Sequence, residues 1–244
     1  MKQLSVIAKH EFNSFFSSLT GYIIMSLFLL GQGLFLWVLP NEHNVFGSGY
    51  ASLDGLFTIT PYLFLFLCPA ITMRSVAEEQ QQGTLELLFV RPIQKYKIIL
   101  GKILGAWGVV LITLLLSMVW FVAIWFLASP RGNVDSGAFL GSMIGLMLLS
   151  MVYVAIGVLS SAMTNNQIFA FLFAATLSFF FFVGFDFVAL LFAKGSVSNL
   201  VASIGINYHY KSISRGVVDS RDLIYFATTT AVVIYLAVFI IKRK

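Results

Sequence analysis

Cysteine is almost absent from this 244-residue chain. Cys68 stands alone, so no internal disulfide can form and cysteine gives no compartment signal. Charge is nearly as scarce. Lys and Arg number 15 and Asp and Glu 10, together 10% of the residues, against about 25% in an ordinary soluble domain. So few charges cannot clothe a soluble domain of this length. That excludes a soluble enzyme, a disordered chain and a disulfide scaffold. What fills the chain instead is apolar: 59% is hydrophobic, 16% aromatic, with 25 Phe, and the mean hydropathy is +0.93. This is the composition of an integral membrane protein. The net charge of +5 could suggest a nucleic-acid partner. In a membrane protein, Lys and Arg retained in cytoplasmic loops produce the same sum, so no nucleic-acid partner is expected.

Uncharged runs cover residues 12–41, 55–73, 103–130, 136–185 and 223–241. About 20 apolar residues cross a bilayer's hydrocarbon core. The run 136–185 is too long for one helix and breaks at its polar cluster, Thr164-Asn165-Asn166-Gln167. Six spans result, at about 21–39, 56–73, 103–128, 139–163, 168–190 and 223–241. Polar–apolar alternation is not sustained in any of them, which argues against a β-barrel. The expectation is an all-α membrane protein with one transmembrane domain over 1–244.

Six spans put both termini on one side. That side holds Lys2, Lys9, Arg74, Arg91, Lys95, Lys97, Lys102, Lys242, Arg243 and Lys244; the other holds Arg131, Lys194, Lys211, Arg215 and Arg221. The richer side is expected to be cytoplasmic, N-in and C-in. Span 1 is too long for a signal core and no A-x-A-like site follows it, so it reads as an uncleaved anchor. Before it, residues 1–19 form an amphipathic helix. Leu4, Ile7, Ala8, Phe12, Phe15, Phe16 and Leu19 share one face, and Lys2 and Lys9 lie elsewhere. Such a helix can lie in the interface, Phe side chains in lipid and Lys toward anionic headgroups. His10 and Glu11 make an early start of span 1 expensive.

The loop over 74–102 carries the most specific pattern. Residues 74–82 are good helix formers and extend span 2. Gly83 breaks the helix. Thr84 then serves as an N-cap, Glu86 suits the first-turn dipole, and Pro92 closes a helix of about two turns. Leu85, Leu88 and Phe89 fall on one face. That face fits either the groove of another protein or this chain's own bundle.

The run Glu78-Glu79-x-x-x-Gly83-Thr84-Leu85-Glu86-Leu87-Leu88-x-x-x-Pro92, between a second span and Gly101-Lys102 at a third, closely resembles the ABC-2 family of ABC transporter permeases. His209 to Phe226 is similar to one branch of that family, the gliding-motility-associated permeases and their relatives in nitrous-oxide-reductase maturation. The resemblance covers nearly the whole chain. It implies a permease subunit of a bacterial inner membrane whose loop helix is the coupling helix of a separate ABC ATPase. Glu78, Glu79, Gly83, Thr84, Leu85, Glu86, Leu87, Leu88, Phe89 and Pro92 become the coupling residues. It further implies two ATPase copies carrying ATP and Mg²⁺, a second permease copy or homologue, and an accessory gliding protein. A membrane scaffold without a transport cycle is the rival class.

No phosphate-cradling motif is present. G-x-x-x-x-G-K-[ST] fails at Gly101-Lys102, where Tyr96 and Ile103 occupy the first and last required positions. The chain is therefore expected to be no enzyme and to bind no cofactor itself. His10, His43 and His209 share no ligand spacing with each other or with Cys68, so no metal is expected. Ser150, Ser160 and Ser161 read as helix-contact hydrogen-bonders. Asp186 lies about 27 Å along span 5 from Ile168, near the outer interface. It reads as an outer-gate contact or as an interfacial acid paired with a base such as Lys194. Pro61 and Pro69 remove donors from span 2, as a hinge or as fixed packing. Between Asp186 and Asp222, the apolar stretches Phe187–Ala193 and Asn199–Ile204 are expected to form short helices as a lid over the exit, with 191–222 as an outer re-entrant or interfacial segment.

Overall fold

The computed structural model describes residues 2–85, 94–192 and 195–243. Every regular element among them is helical. Helix α1 (Lys2–Phe16) precedes α2 (Leu19–Gly33), which continues through a π-helical turn at Leu34–Val38. A short α3 (Val45–Ser48) leads to α4 (Asp54–Thr72) and α5 (Ala77–Gln81). Then come α6 (Lys95–Leu127), α7 (Ser136–Met163) and α8 (Gln167–Phe179), the last extended by a π turn at Phe180–Gly184 into α9 (Phe185–Leu190). Two short helices, α10 (Ser196–Ala202) and α11 (Ile206–Ile213), precede α12 (Ser220–Arg243).

Among the described residues six helical stretches are long and apolar enough to cross a membrane, and they coincide with the six expected spans. Span 4 is the hub. In its most apolar window 78% of the residues are buried, against 17% in span 6, so spans 2, 3, 5 and 6 pack around α7, with span 1 on spans 2 and 3. Some polar side chains inside the bundle are paired across helices, because bilayer hydrocarbon offers them no water; others, such as Thr113 and Ser160, donate to a carbonyl of their own helix. Fully buried Gln32 of span 1 donates to Thr60 of span 2 (2.9 Å) and accepts from Trp120 Nε1 of span 3 (3.2 Å).

Three boundaries differ from expectation. Span 3 starts at Lys95 instead of Ile103. Span 2 does not run straight through 74–82: α4 ends at Thr72, a turn follows, and α5 resumes at Ala77. The backbone groups freed by that turn are taken by one side chain of span 4. Ser161 Oγ accepts from Val76 N (3.0 Å) and Ala77 N (2.9 Å) and donates to Met73 O (3.0 Å). The hydroxyl is thus a staple between helices. Of the short helices on the outer side, the first, Phe185–Leu190, is the end of span 5, although the sequence places Phe187–Ala193 beyond that span; the second and third, Ser196–Ala202 and Ile206–Ile213, lie in the outer segment.

That third helix explains Pro61. Proline has no N–H, so the carbonyl of Phe57, four residues earlier, loses its helical donor. The Tyr210 hydroxyl on α11 reaches in and donates to Phe57 O at 2.7 Å. Burial pushes the Tyr210 phenol well above its ordinary pKa, which keeps the proton available for this bond. Pro61 is therefore fixed packing between span 2 and the outer helix. Tyr210→Phe orphans a buried carbonyl and is expected to cost about 1–3 kcal/mol, read as a lowered unfolding midpoint in detergent. In a Pro61→Ala background the helical N–H is restored, so the same change should cost clearly less. Equal costs in both backgrounds would refute this account.

Candidate functional site

The termini-bearing end of the bundle holds the densest polar constellation, and it begins with three glycines. Gly101, Gly105 and Gly108 line one face of span 3 and let α1 lie directly on it. A β-carbon at Gly105 would stand 2.6 Å from the Ala8 carbonyl oxygen, and one at Gly101 2.8 Å from the Ile7 β-carbon. The face of α1 carrying Phe12, Phe15 and Phe16 is consequently half-buried and packed against the protein core. It does not face lipid as the amphipathic pattern suggested. A wheel shows that a face is apolar but not which apolar surface it meets, and here the glycine groove is that surface. Lys9 points to the exposed side; Lys2 begins the helix.

Docking α1 brings Glu11 to Lys102. Lys102 is only 3% exposed. Its ammonium donates to Ser75 O at 2.5 Å and to Glu79 Oε1 at 2.7 Å, and it faces Glu11 Oε2 at 3.5 Å. Two hydrogen bonds and one ion pair thus tie the ammonium to three elements: the turn after span 2, α5 and α1. An unpaired ammonium at this depth would cost several kcal/mol, so the partners are what allow a lysine inside the packed end of span 3.

The expected coupling residues divide. Glu79 belongs to the Lys102 clamp, and Glu78 is half-buried and accepts from Gln82 Nε2 at 3.3 Å. Gly83 breaks the helix as expected, at φ +70°, a conformation that only glycine adopts freely. Thr84 is already helical, its hydroxyl donating to Glu79 O at 3.3 Å, so it is not the N-cap. Leu85 is 6% exposed and belongs to this chain's own core. Of the apolar face assigned to Leu85, Leu88 and Phe89, the first member therefore packs inward. Glu86, Leu87, Leu88, Phe89 and Pro92 lie outside the described residues.

At the opposite end, Asp186 accepts from Asn207 Nδ2 at 2.5 Å and lies 3.7 Å from Lys211 Nζ. Its base is thus on α11; Lys194 lies outside the described residues. His209 on the same helix stands 2.7 Å from Asp222 and stacks on Tyr225 at 3.8 Å. The outer helix α11 is held by span 5 on one side and span 6 on the other. Among the described residues no three His, Cys, Asp or Glu side chains converge as a metal site requires.

Sequence alone does not reveal the Lys102 clamp. Its signal was present: a lone cation at the brink of an apolar run, and Glu11 at the brink of another, each needing a partner.

No curated protein matches this chain. The family model described as ABC-2 family transporter protein matches residues 39–241, which takes in spans 2 to 6, Glu79, Lys102 and the outer helices, and leaves α1 and span 1 before it. That match covers most of the chain, and with six membrane-crossing helices it makes the protein a member of the ABC-2 transporter family, a membrane-embedded permease subunit of an ABC transporter.

Proposed function

We propose that segment 83–92 couples this permease to a separate ABC ATPase, and that two ATPase copies drive a pair of permease domains, identical or homologous, in a bacterial inner membrane. The chain has no P-loop, so ATP and Mg²⁺ sit on the partner. One observation supports the coupling role above others. The residues that lead into the segment are fastened to α1 and span 3 by Lys102 and to span 4 by Ser161. A push on the segment therefore moves several helices together. Leu85 anchors the near end, which leaves Leu88 and Phe89 as the docking contacts. The resemblance of 209–226 to the gliding-type branch adds an accessory gliding partner and mechanical work or export as the output.

The test is copurification of the native ATPase with Leu88→Asp. A charge buried at a docking contact costs several kcal/mol, so ATPase recovery is expected to fall at least tenfold (about 1.4 kcal/mol per decade) at unchanged membrane levels. Normal recovery and ATP-dependent activity would remove the segment from the docking role. If the unmodified chain recovers no nucleotide-binding subunit at all, a scaffold is the better reading. Orientation has its own check. In a Cys68→Ala background, an impermeant thiol reagent on intact cells should label Ser48→Cys and Ser129→Cys and spare Gln81→Cys. Labelling at position 81 would invert the topology.

A further inference from the structure

The outer helix α11 meets span 6 through one ring whose two nitrogens are both engaged. His209 Nδ1 lies 2.7 Å from Asp222 Oδ1, and Nε2 lies 2.9 Å from the Ser203 carbonyl oxygen in the turn between α10 and α11. A carbonyl oxygen only accepts, so Nε2 carries hydrogen. A neutral ring with its hydrogen there would turn a bare lone pair toward Asp222. Two lone pairs do not meet at 2.7 Å, so a further proton lies between Nδ1 and Oδ1. The pair therefore holds one proton more than a neutral histidine beside a carboxylate.

The surroundings place that proton on the ring. Asp222 is 5% exposed, and its Oδ2 has no hydrogen-bond partner among the described residues. Among those residues the imidazolium is its one ion-pair partner, and a buried carboxylate needs one. Tyr225 stacks on the ring with centroids 3.8 Å apart, and a cation over an aromatic face is attracted to it. The other titratable groups around the ring come from three elements. Tyr208 on α11 meets it edge-on at 5.4 Å. Lys211 on α11 and Asp186 at the end of span 5 pair with each other. Asp219 and Arg221 are exposed where span 6 begins, and α10 carries no titratable side chain. The His209 side chain keeps 13% exposure, an edge by which a proton exchanges with water.

We infer that this proton is a pH-sensitive latch on the outer helices: while it is held, His209 fastens the turn at 203–205 to span 6, and its loss frees Ser203. On deprotonation the remaining hydrogen stays on Nδ1, where the acceptor is charged and the bond is the stronger of the two. Nε2 then turns a lone pair toward the Ser203 carbonyl, and that bond is gone. The turn keeps a second tie to span 6, the Tyr225 hydroxyl donating to Ile204 O at 2.6 Å, so it loosens without detaching. Helix α11 itself stays anchored through Tyr210 on Phe57 O and Asn207 on Asp186. The inference stands apart from the coupling reading, since it needs no ATPase.

Two measurements on the purified full-length chain in detergent test it. The first is nitrogen-15 NMR of the histidine rings, with the signals of His209 assigned by their loss in His209→Gln. At about pH 5.5 both ring nitrogens are expected to carry hydrogen, and at about pH 8.5 Nδ1 alone. The second is backbone hydrogen exchange, expressed as protection factors so that the intrinsic pH dependence is removed. Protection at 203–206 is expected to fall about fivefold between the two pH values, the scale of one lost hydrogen bond to a charged group. In His209→Gln no proton is left to lose, and the fall should vanish. Asp222→Asn should also abolish it, because the new amide donates to Nδ1 and lets a neutral ring keep its bond to Ser203. His10→Gln and His43→Gln should behave as the parent. A ring that is neutral at both pH values, or that loses its hydrogen from Nδ1, overturns the placement of the proton. A ring that keeps both hydrogens throughout makes the contact a fixed ion pair and overturns the switch. Constant protection in the parent, or the same fall in His209→Gln and Asp222→Asn, overturns the latch.

Discussion

Lys102→Met is expected to lower stability by about 3 kcal/mol, the low end of the range for breaking a buried ion pair. The cost arises from what is left behind. Met fills nearly the same space, so little packing is lost. Glu11, Glu79 and the Ser75 carbonyl, however, lose the one cation they share. The side chains of Glu11 and Glu79 are 18% and 30% exposed, so water screens part of the penalty, which is why the low end is chosen. Neutralising the abandoned acids should restore stability. Adding Glu11→Gln and Glu79→Gln to Lys102→Met removes the orphaned charges and is expected to recover more than half the loss, because replacing a whole buried ionic group is far less costly than breaking it. Equilibrium unfolding in mixed micelles reads all three variants. A loss below about 1 kcal/mol for Lys102→Met, the scale of a surface pair, would mean that the clamp is no more than decoration.

The clamp also shows why some of this structure was legible in the sequence and some was not. The six spans were, because a bilayer imposes a length and an apolar composition on every crossing helix, and both are properties of a linear string. The break at Thr164–Gln167 was legible for the same reason, and in the structure Asn166 caps α8 through Ile168 N at 2.8 Å. The start of span 3 was not, because the uncharged run ends at Lys102 while the helix continues past it. Lys102 can lie inside the helix end only since Glu11 and Glu79 meet it, and those partners come from 91 and 23 positions away in the chain. The interruption of span 2 was hidden likewise. Residues 74–82 have good helix propensity, but Ser161 of span 4 offers the backbone a better-satisfied turn than continued helix would need. Pro61 announced a missing donor without naming Tyr210 as its substitute. In each case the sequence marked a polar group in need of a partner, and tertiary structure chose the partner.

The docking of α1 is the other feature on which the arrangement at this end depends, and Gly105→Leu tests it with a large expected effect. A β-carbon there meets the Ala8 carbonyl oxygen at 2.6 Å and the Glu11 β-carbon at 2.7 Å. A backbone oxygen cannot rotate out of the way, so the helix itself must lift. Lifting carries Glu11 away from Lys102 and uncovers the half-buried face that holds Ala8 and Phe12. The overpacking is expected to cost about 1–3 kcal/mol. In a Cys68→Ala background, Ala8→Cys should react with a soluble thiol reagent at least tenfold faster once Gly105→Leu is added. Gly108→Ala supplies the contrast. Its β-carbon would meet the Phe12 ring at 3.2 Å, and a ring edge can turn aside, so labelling at position 8 should stay near the parent rate. With α1 released, its Phe face is free to settle into the bilayer interface, where its amphipathic pattern is stable on its own. A lipid-phase quencher should then reach a fluorophore attached at position 8 in Gly105→Leu and not in the parent. If labelling and quenching at position 8 are the same in all three backgrounds, the glycine groove is not what holds α1, and Glu11 must reach Lys102 by some other support.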